Sequence, residues 1–208
     1  MKAKILALVG MVLSAPVGAA TLDFDGSICN GGMDCSNGFS IDQSYGDMAG
    51  VDVIYDGNPN DTTLNNFLFW GSQYSDLENI AYFADGAQLT LDAADGYEVT
   101  LSSLDLGAWP NTDRNLGFSV MDLSSNSTVF DTGLVTVSGQ VRSSFSPNLT
   151  SSEGLKITFF GDFFNGGVDN IVYSASKIGT VNPVPLPAGV LLLGTALAGL
   201  GLKKRRSK

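Results

Sequence analysis

Residues 79–106 read NIAYFADGAQLTLDAADGYEVTLSSLDL, and two Asp-Gly pairs, Asp85-Gly86 and Asp95-Gly96, divide them into three apolar-rich runs. Asp-Gly suits a tight hairpin turn, because the turn needs positive φ values that glycine adopts freely and aspartate tolerates. The runs themselves, Asn79–Ala84, Ala87–Asp92 and Tyr97–Leu106, are short and rich in aromatic and branched residues, which predicts strands. In the third run Tyr97, Val99 and Leu101 share one face, whereas Leu104 and Leu106 fall on the other. A change of apolar face within one strand predicts a bulge near Ser102-Ser103.

Outward from this region the same grammar continues. From Thr21 to Thr180 no long segment has helical period. Strands are predicted at Thr21–Phe24, Val51–Tyr55, Leu116–Leu123, Thr128–Asp131, Leu134–Val141, Leu155–Phe160 and Asp169–Ala175, with a short edge strand at Gly38–Ile41. The cluster Phe67-Leu68-Phe69-Trp70, beside the polar loop DGNPND, is assigned to an irregular loop pinned by aromatic rings, and a short helix is expected around Tyr74–Asn79. About ten short strands fill a two-layer core, so the expected fold is an all-β antiparallel sandwich over residues 21–175. Residues 176–183, ending in Asn182-Pro183, read as a linker.

Charge narrows the function classes. The chain carries a net −10, yet all 21 acidic residues lie between Asp23 and Asp169, while between the two ends, residues 21–183, the bases are Arg114, Arg142, Lys156 and Lys177, so that region holds 4 − 21 = −17. Such a surface repels nucleic acid, which needs a basic footprint, and favours divalent cations and solubility. Histidine is absent, which removes imidazole ligands and every Ser-His or Cys-His dyad. Cys29 and Cys35 are the only cysteines, and in a secreted chain they are expected to close a disulfide. Two thiolates without histidine are half a zinc site.

Both ends of the chain look like addresses. Lys2 and Lys4 precede the apolar run Ile5–Leu13, and Val17-Gly18-Ala19 or Gly18-Ala19-Ala20 satisfies the small-residue cleavage rule. Residues 1–20 are therefore expected to form an apolar signal helix read by the secretion translocon, the mature chain starting at Ala20 or Thr21. At the other end, Val184, Pro185, Leu186, Pro187 and Ala188 lead into an uncharged apolar run, Gly189–Leu202, and then the basic tail Lys203, Lys204, Arg205, Arg206 and Lys208. The run is 14 residues, or 17 from Leu186, against about 20 for a comfortable membrane span. By the positive-inside rule the tail stays cytoplasmic and everything before Val184 lies across the membrane.

This ending, residues 184–208, resembles the PEP-CTERM class of bacterial sorting signals in its VPLPA variant. The resemblance implies recognition by an exosortase. The chain would pass through an inner-membrane intermediate held by its apolar sorting helix, lose the tail, and go to the cell surface or extracellular matrix. The segments LDFDG (Leu22–Gly26), VTLSSLDLGAW (Val99–Trp109) and GVDNIVY (Gly167–Tyr173) also resemble, in order, the jelly-roll, galactose-binding-like domains that accompany such tails. That resemblance implies first and last strands side by side and a structural calcium held by Asp23 or Asp25 with Asp169, and with Asn170 as a further oxygen donor. Calcium takes several hard oxygens, and weak extracellular modules bind it in the millimolar range.

Two uses remain for the domain. Exposed aromatics stack on sugar rings while a few polar groups take the hydroxyls, and Trp70, Tyr74, Trp109 and Arg114 are the candidate glycan contacts for extracellular polysaccharide. Core anchoring is the other use of such rings in a sandwich. A secreted carbohydrate-active enzyme would instead need two carboxylates about 5–10 Å apart. With 21 carboxylates, pairs arise by number alone. No nucleophile elbow, zinc helix or phosphate-cradling loop accompanies them, so the chain is read as a structural or adhesive protein rather than an enzyme.

Overall fold

The computed structural model describes residues 18–29, 31–57, 67–162 and 164–179; residues 1–17 of the expected signal peptide and the sorting signal from Val184 lie outside them, while Gly18–Ala20, expected to end that peptide, are described as strand. The described residues contain thirteen strands and no α-helix: β1 (Gly18–Leu22), β2 (Val51–Asp56), β3 (Leu68–Trp70), β4 (Ile80–Phe83), β5 (Gln88–Ala93), β6 (Tyr97–Ala108), β7 (Arg114–Asp122), β8 (Ser127–Asp131), β9 (Val135–Val137), β10 (Ser143–Phe145), β11 (Leu149–Ser151), β12 (Gly154–Gly161) and β13 (Gly166–Lys177). One sheet runs β10-β6-β13-β4-β3, with β1 on β13 and β11 on β6; the other runs β2-β5-β12-β7-β8, with β9 on β7. All pairings are antiparallel. The chain changes sheet at β1–β2, β2–β3, β4–β5, β5–β6, β6–β7, β9–β10, β11–β12 and β12–β13, which gives the jelly-roll-like sandwich expected from the sequence.

The two inner faces interdigitate through Leu89, Leu91, Leu101, Phe118, Ile157 and Phe159, all fully buried. Burying each such side chain contributes roughly 1.5–3 kcal/mol. Period-two alternation is visible in β2, where Val51, Val53 and Tyr55 are buried while Asp52 and Ile54 are exposed. The predicted bulge is present. Val172 faces Ser103 and Tyr173 faces Leu101, so Ser102 is the extra residue of β6. A compensating extra residue lies in β13 between Asp169 and Val172, where Asn170 adopts φ 51°. The double irregularity turns Val99, Leu101, Leu104 and Leu106 all into the core.

Several local expectations are corrected. The aromatic cluster is not an irregular loop: Leu68–Trp70 is β3, paired with β4, and Phe67 and Phe69 are buried. No helix forms over Tyr74–Asn79. Gln73, Ser75 and Asn79 have φ values of 73°, 56° and 55°, and Leu77 donates back to the Tyr74 carbonyl in a tight turn. The segment Gly38–Ile41 makes isolated bridges, Ser40 to Leu68 and Ile41 to Cys29, rather than a strand. The first strand starts at Gly18 rather than Thr21, because its ladder to Ala175, Ser174 and Tyr173 needs only backbone from Gly18, Ala19 and Ala20.

Candidate functional site

The β3–β4 hairpin is apolar on both faces. Phe69, Ala81 and Phe83 point into the sandwich, while Leu68, Trp70, Ile80 and Tyr82 form a second apolar layer on the outside of the sheet. Segment 71–79 folds over this outer face and adds Tyr74 and Leu77, which are buried there with Ile80. The floor beneath them is a glycine pair. Gly107 of β6 faces Gly167 of β13, and a Cβ at Gly107 would stand 2.7 Å from the Tyr74 carbonyl oxygen, one at Gly167 2.7 Å from Tyr74 Cδ1. Only bare backbone lets the tyrosine settle this close.

On that floor stands an open cavity of about 370 Å³ lined by Leu68, Trp70, Tyr74, Tyr82, Trp109, Phe164 and Asn165. Its size is at the small end of ligand sites, about 300–1,000 Å³. The rings support one another: Trp70 meets Trp109 edge to face at 6.1 Å and Tyr82 at 5.9 Å, and Tyr74 stacks with Tyr82 at 6.4 Å. Tyr82 also meets Phe164 edge to face at 6.0 Å. The Tyr74 hydroxyl donates to the Phe164 carbonyl at 2.9 Å, and burial pushes that hydroxyl's pKa well above the ordinary tyrosine range. Trp109 precedes a cis peptide bond to Pro110, and its buried indole Nε1 has no hydrogen-bond partner among the described residues.

Of the residues singled out in the sequence as glycan contacts, Trp70, Tyr74 and Trp109 are gathered at this one cavity. Arg114 is not in its wall. Its Nε donates to the Trp109 carbonyl at 2.8 Å, and its guanidinium lies 3.8 Å from the Asp162 carboxylate. It braces the cavity from behind. Tyr82 and Phe164 complete the ring of aromatics and were not singled out; the signal for Tyr82 is the run IAYF, apolar at every position and so apolar on both strand faces.

The acidic residues proposed for calcium lie elsewhere. Asp169 is 5% exposed, and its pKa is raised to about 7, first by burial and then by the charges of Asp105, Asp23 and Asp25, against the lowering effect of the Asn170 N–H. Asp23 accepts from the Tyr45 hydroxyl at 3.0 Å, Asp25 from the Asn79 amide, and Asn170 donates to both Asp169 and Asp105. The donors are hard oxygens, but among the described residues no three acidic or sulfur side chains are grouped so as to hold a metal. Cys29 and Cys35 are joined in a disulfide.

No protein-family model matches the chain, and no curated protein does. Among solved structures it is similar to the CBM32 of AlyQ in complex with 4,5-unsaturated mannuronic acid, at 20% identity and TM-score 0.33, covering 61% of this chain and 95% of that one. A second is the CBM51 from Clostridium perfringens GH95 in complex with methyl-galactose, at 15% identity and TM-score 0.33, covering 62% and 90%. A third, an exo-β-1,3-galactanase from Phanerochaete chrysosporium with galactose, has 16% identity and TM-score 0.27, covering 69% of this chain and 30% of that one. Likeness at this level assigns neither ligand nor activity to this protein.

Proposed function

We propose that the protein is an exported component of the cell surface or extracellular matrix whose β-sandwich binds polysaccharide through the aromatic cavity. The observation that carries this reading is the convergence of five aromatic rings, Trp70, Tyr74, Tyr82, Trp109 and Phe164, on one open cavity outside the main core. Tyr74 is buried as an anchor of the outer apolar layer, whereas Trp70, Tyr82, Trp109 and Phe164 stay partly exposed, which leaves ring surface open to a sugar's apolar face. The wall is aromatic, aliphatic and amide, a set that holds a ligand rather than moving protons. Retention on insoluble polysaccharides that is lost in Trp70→Ala supports the reading; equal retention of both proteins sinks it.

Delivery rests on the two ends of the sequence and, for the compartment, on the Cys29–Cys35 disulfide, which suits an oxidising environment. Export through the translocon, an inner-membrane intermediate and exosortase removal of the VPLPA tail make up that part of the proposal. Intact mass of the unmutated surface material and the location of a variant lacking residues 184–208 test it: surface material that keeps the basic tail rules out processing. A structural calcium beside Asp169 belongs to the same proposal, supported by the charge repulsion focused on that carboxyl.

A further inference from the structure

We infer that the aromatic cavity selects an uncharged sugar carrying an apolar substituent, such as an ester, an ether or a deoxy position, and turns away acidic glycans; this rests on the polysaccharide reading above. The wall offers few polar atoms. The Tyr74 hydroxyl is spent on the Phe164 carbonyl and the Trp109 Nε1 is buried within its cluster, so the side-chain polar groups left in the lining are the Trp70 indole N–H, the Tyr82 hydroxyl and the Asn165 amide. An unsubstituted hexose carries more hydroxyls than these three groups can take, so some would surrender hydration without a replacement partner, which is unfavourable. Capping a hydroxyl as a methyl ether or acetyl ester, or losing it as a deoxy position, removes an O–H donor that would go unpaired and adds apolar contact with Leu68 and the rings.

Charge selects in the same direction. No charged side chain is among the residues lining the cavity. The nearest base, Arg114, is held by the Trp109 carbonyl and Asp162. Arg142 lies 3.6 Å from Asp105 and 4.0 Å from Asp76, and Lys177 sits 5.7 Å over the Tyr97 ring. Three of the four bases are thus engaged, while the region from Asp23 to Lys177 carries 4 − 21 = −17. A carboxylate on the ligand would enter a negative field felt over about 8 Å at physiological salt.

The chain supplies its own reporter, because its two tryptophans, Trp70 and Trp109, both line the cavity. Purified full-length protein is titrated with a methyl-esterified oligogalacturonide, the same oligosaccharide as the free acid, and an unsubstituted galacto-oligosaccharide, with tryptophan emission as readout. The ester is expected to shift the emission and to bind at least about tenfold more tightly than either comparison ligand. Added salt should narrow the gap to the acid but leave the gap to the unsubstituted sugar. Equal or tighter binding of the acid or of the unsubstituted sugar overturns this inference and leaves the cavity a glycan site. Silence of both tryptophans to all three ligands overturns the inference and the polysaccharide reading together.

Discussion

The indole rings of Trp70 and Trp109 meet edge to face, with centroids 6.1 Å apart and planes at 75°. They come from positions 39 residues apart in sequence, β3 and the turn after β6, and neither reaches the main core. Such a pair is worth about 0.5–1.5 kcal/mol beyond its buried area. Trp70→Ala should therefore cost modest stability, about 1–2 kcal/mol, while weakening polysaccharide retention about tenfold or more. Thermal denaturation and a pull-down on the same preparation separate the two effects. Ile54→Ala, on the exposed face of β2 in the other sheet, should change neither.

The glycine floor gives an independent route to the same cavity. Gly167→Ala places its Cβ 2.7 Å from Tyr74 Cδ1 and 2.9 Å from Ile80 Cδ1, and Gly107→Ala places one 2.7 Å from the Tyr74 carbonyl oxygen. A ring can tilt more readily than a backbone carbonyl can move. Overpacking of this kind costs about 1–3 kcal/mol, and Gly107→Ala is expected to be the more damaging. Both should blue- or red-shift tryptophan emission and reduce retention, although neither glycine touches the cavity. Unchanged emission and retention in both variants would show that Tyr74 does not depend on this floor.

Asp169 predicts a pH profile. Its folded-state pKa is raised to about 7 from an unfolded value of 3.8, so the folded protein holds a proton there that the unfolded chain releases. The stability this confers is complete below about pH 4 and is lost as pH rises to about 7. Asp169→Asn should flatten that slope and raise the midpoint above pH 7 by a few degrees, roughly 2–4 °C for each kcal/mol recovered. Denaturation midpoints of both proteins across this range measure it. A calcium ion beside the carboxyl would lower its pKa, so a profile indifferent to millimolar calcium and to chelator rules that ion out.

The disulfide closes a loop with a sequence separation of 6, and Asn37 within the following turn donates structure to β3 by accepting from the Gly71 N–H at 2.9 Å. Constraining so short a loop in the unfolded chain is worth about 2 kcal/mol. Cys29→Ser with Cys35→Ser should lower the melting midpoint by about 4–8 °C. Calorimetry with and without reductant on the unmutated protein should give the same difference.

The main sandwich was legible in residues 79–106 because turn chemistry and period-two alternation agree there, and even the bulge at Ser102 announced itself as a change of apolar face. The strands β10 and β11 were not, since Ser143–Phe145 and Leu149–Ser151 carry little apolar alternation and owe their form to pairing with β6. Trp70, Tyr74 and Trp109 could be selected by residue type, but their meeting could not. It depends on Gly107 lying opposite Gly167, a register that no local pattern encodes. The expected helix at Tyr74–Asn79 failed for a related reason: tertiary packing of Tyr74 and Leu77 on the outer sheet face overrode the local preference.

The pairing of β1 with β13 joins the first described strand to the last, Gly18 opposite Ala175 and Leu22 opposite Ile171, while β6 occupies the other side of β13 over its whole length. A ribosome delivers a chain from its beginning, so the larger sheet has no centre until its final strand arrives. Until then β1 has no partner and the β3–β4 hairpin is not joined to β6, and loop closure over the full domain sets a slow, late step. The larger sheet is therefore closed by the end of the domain rather than by its beginning.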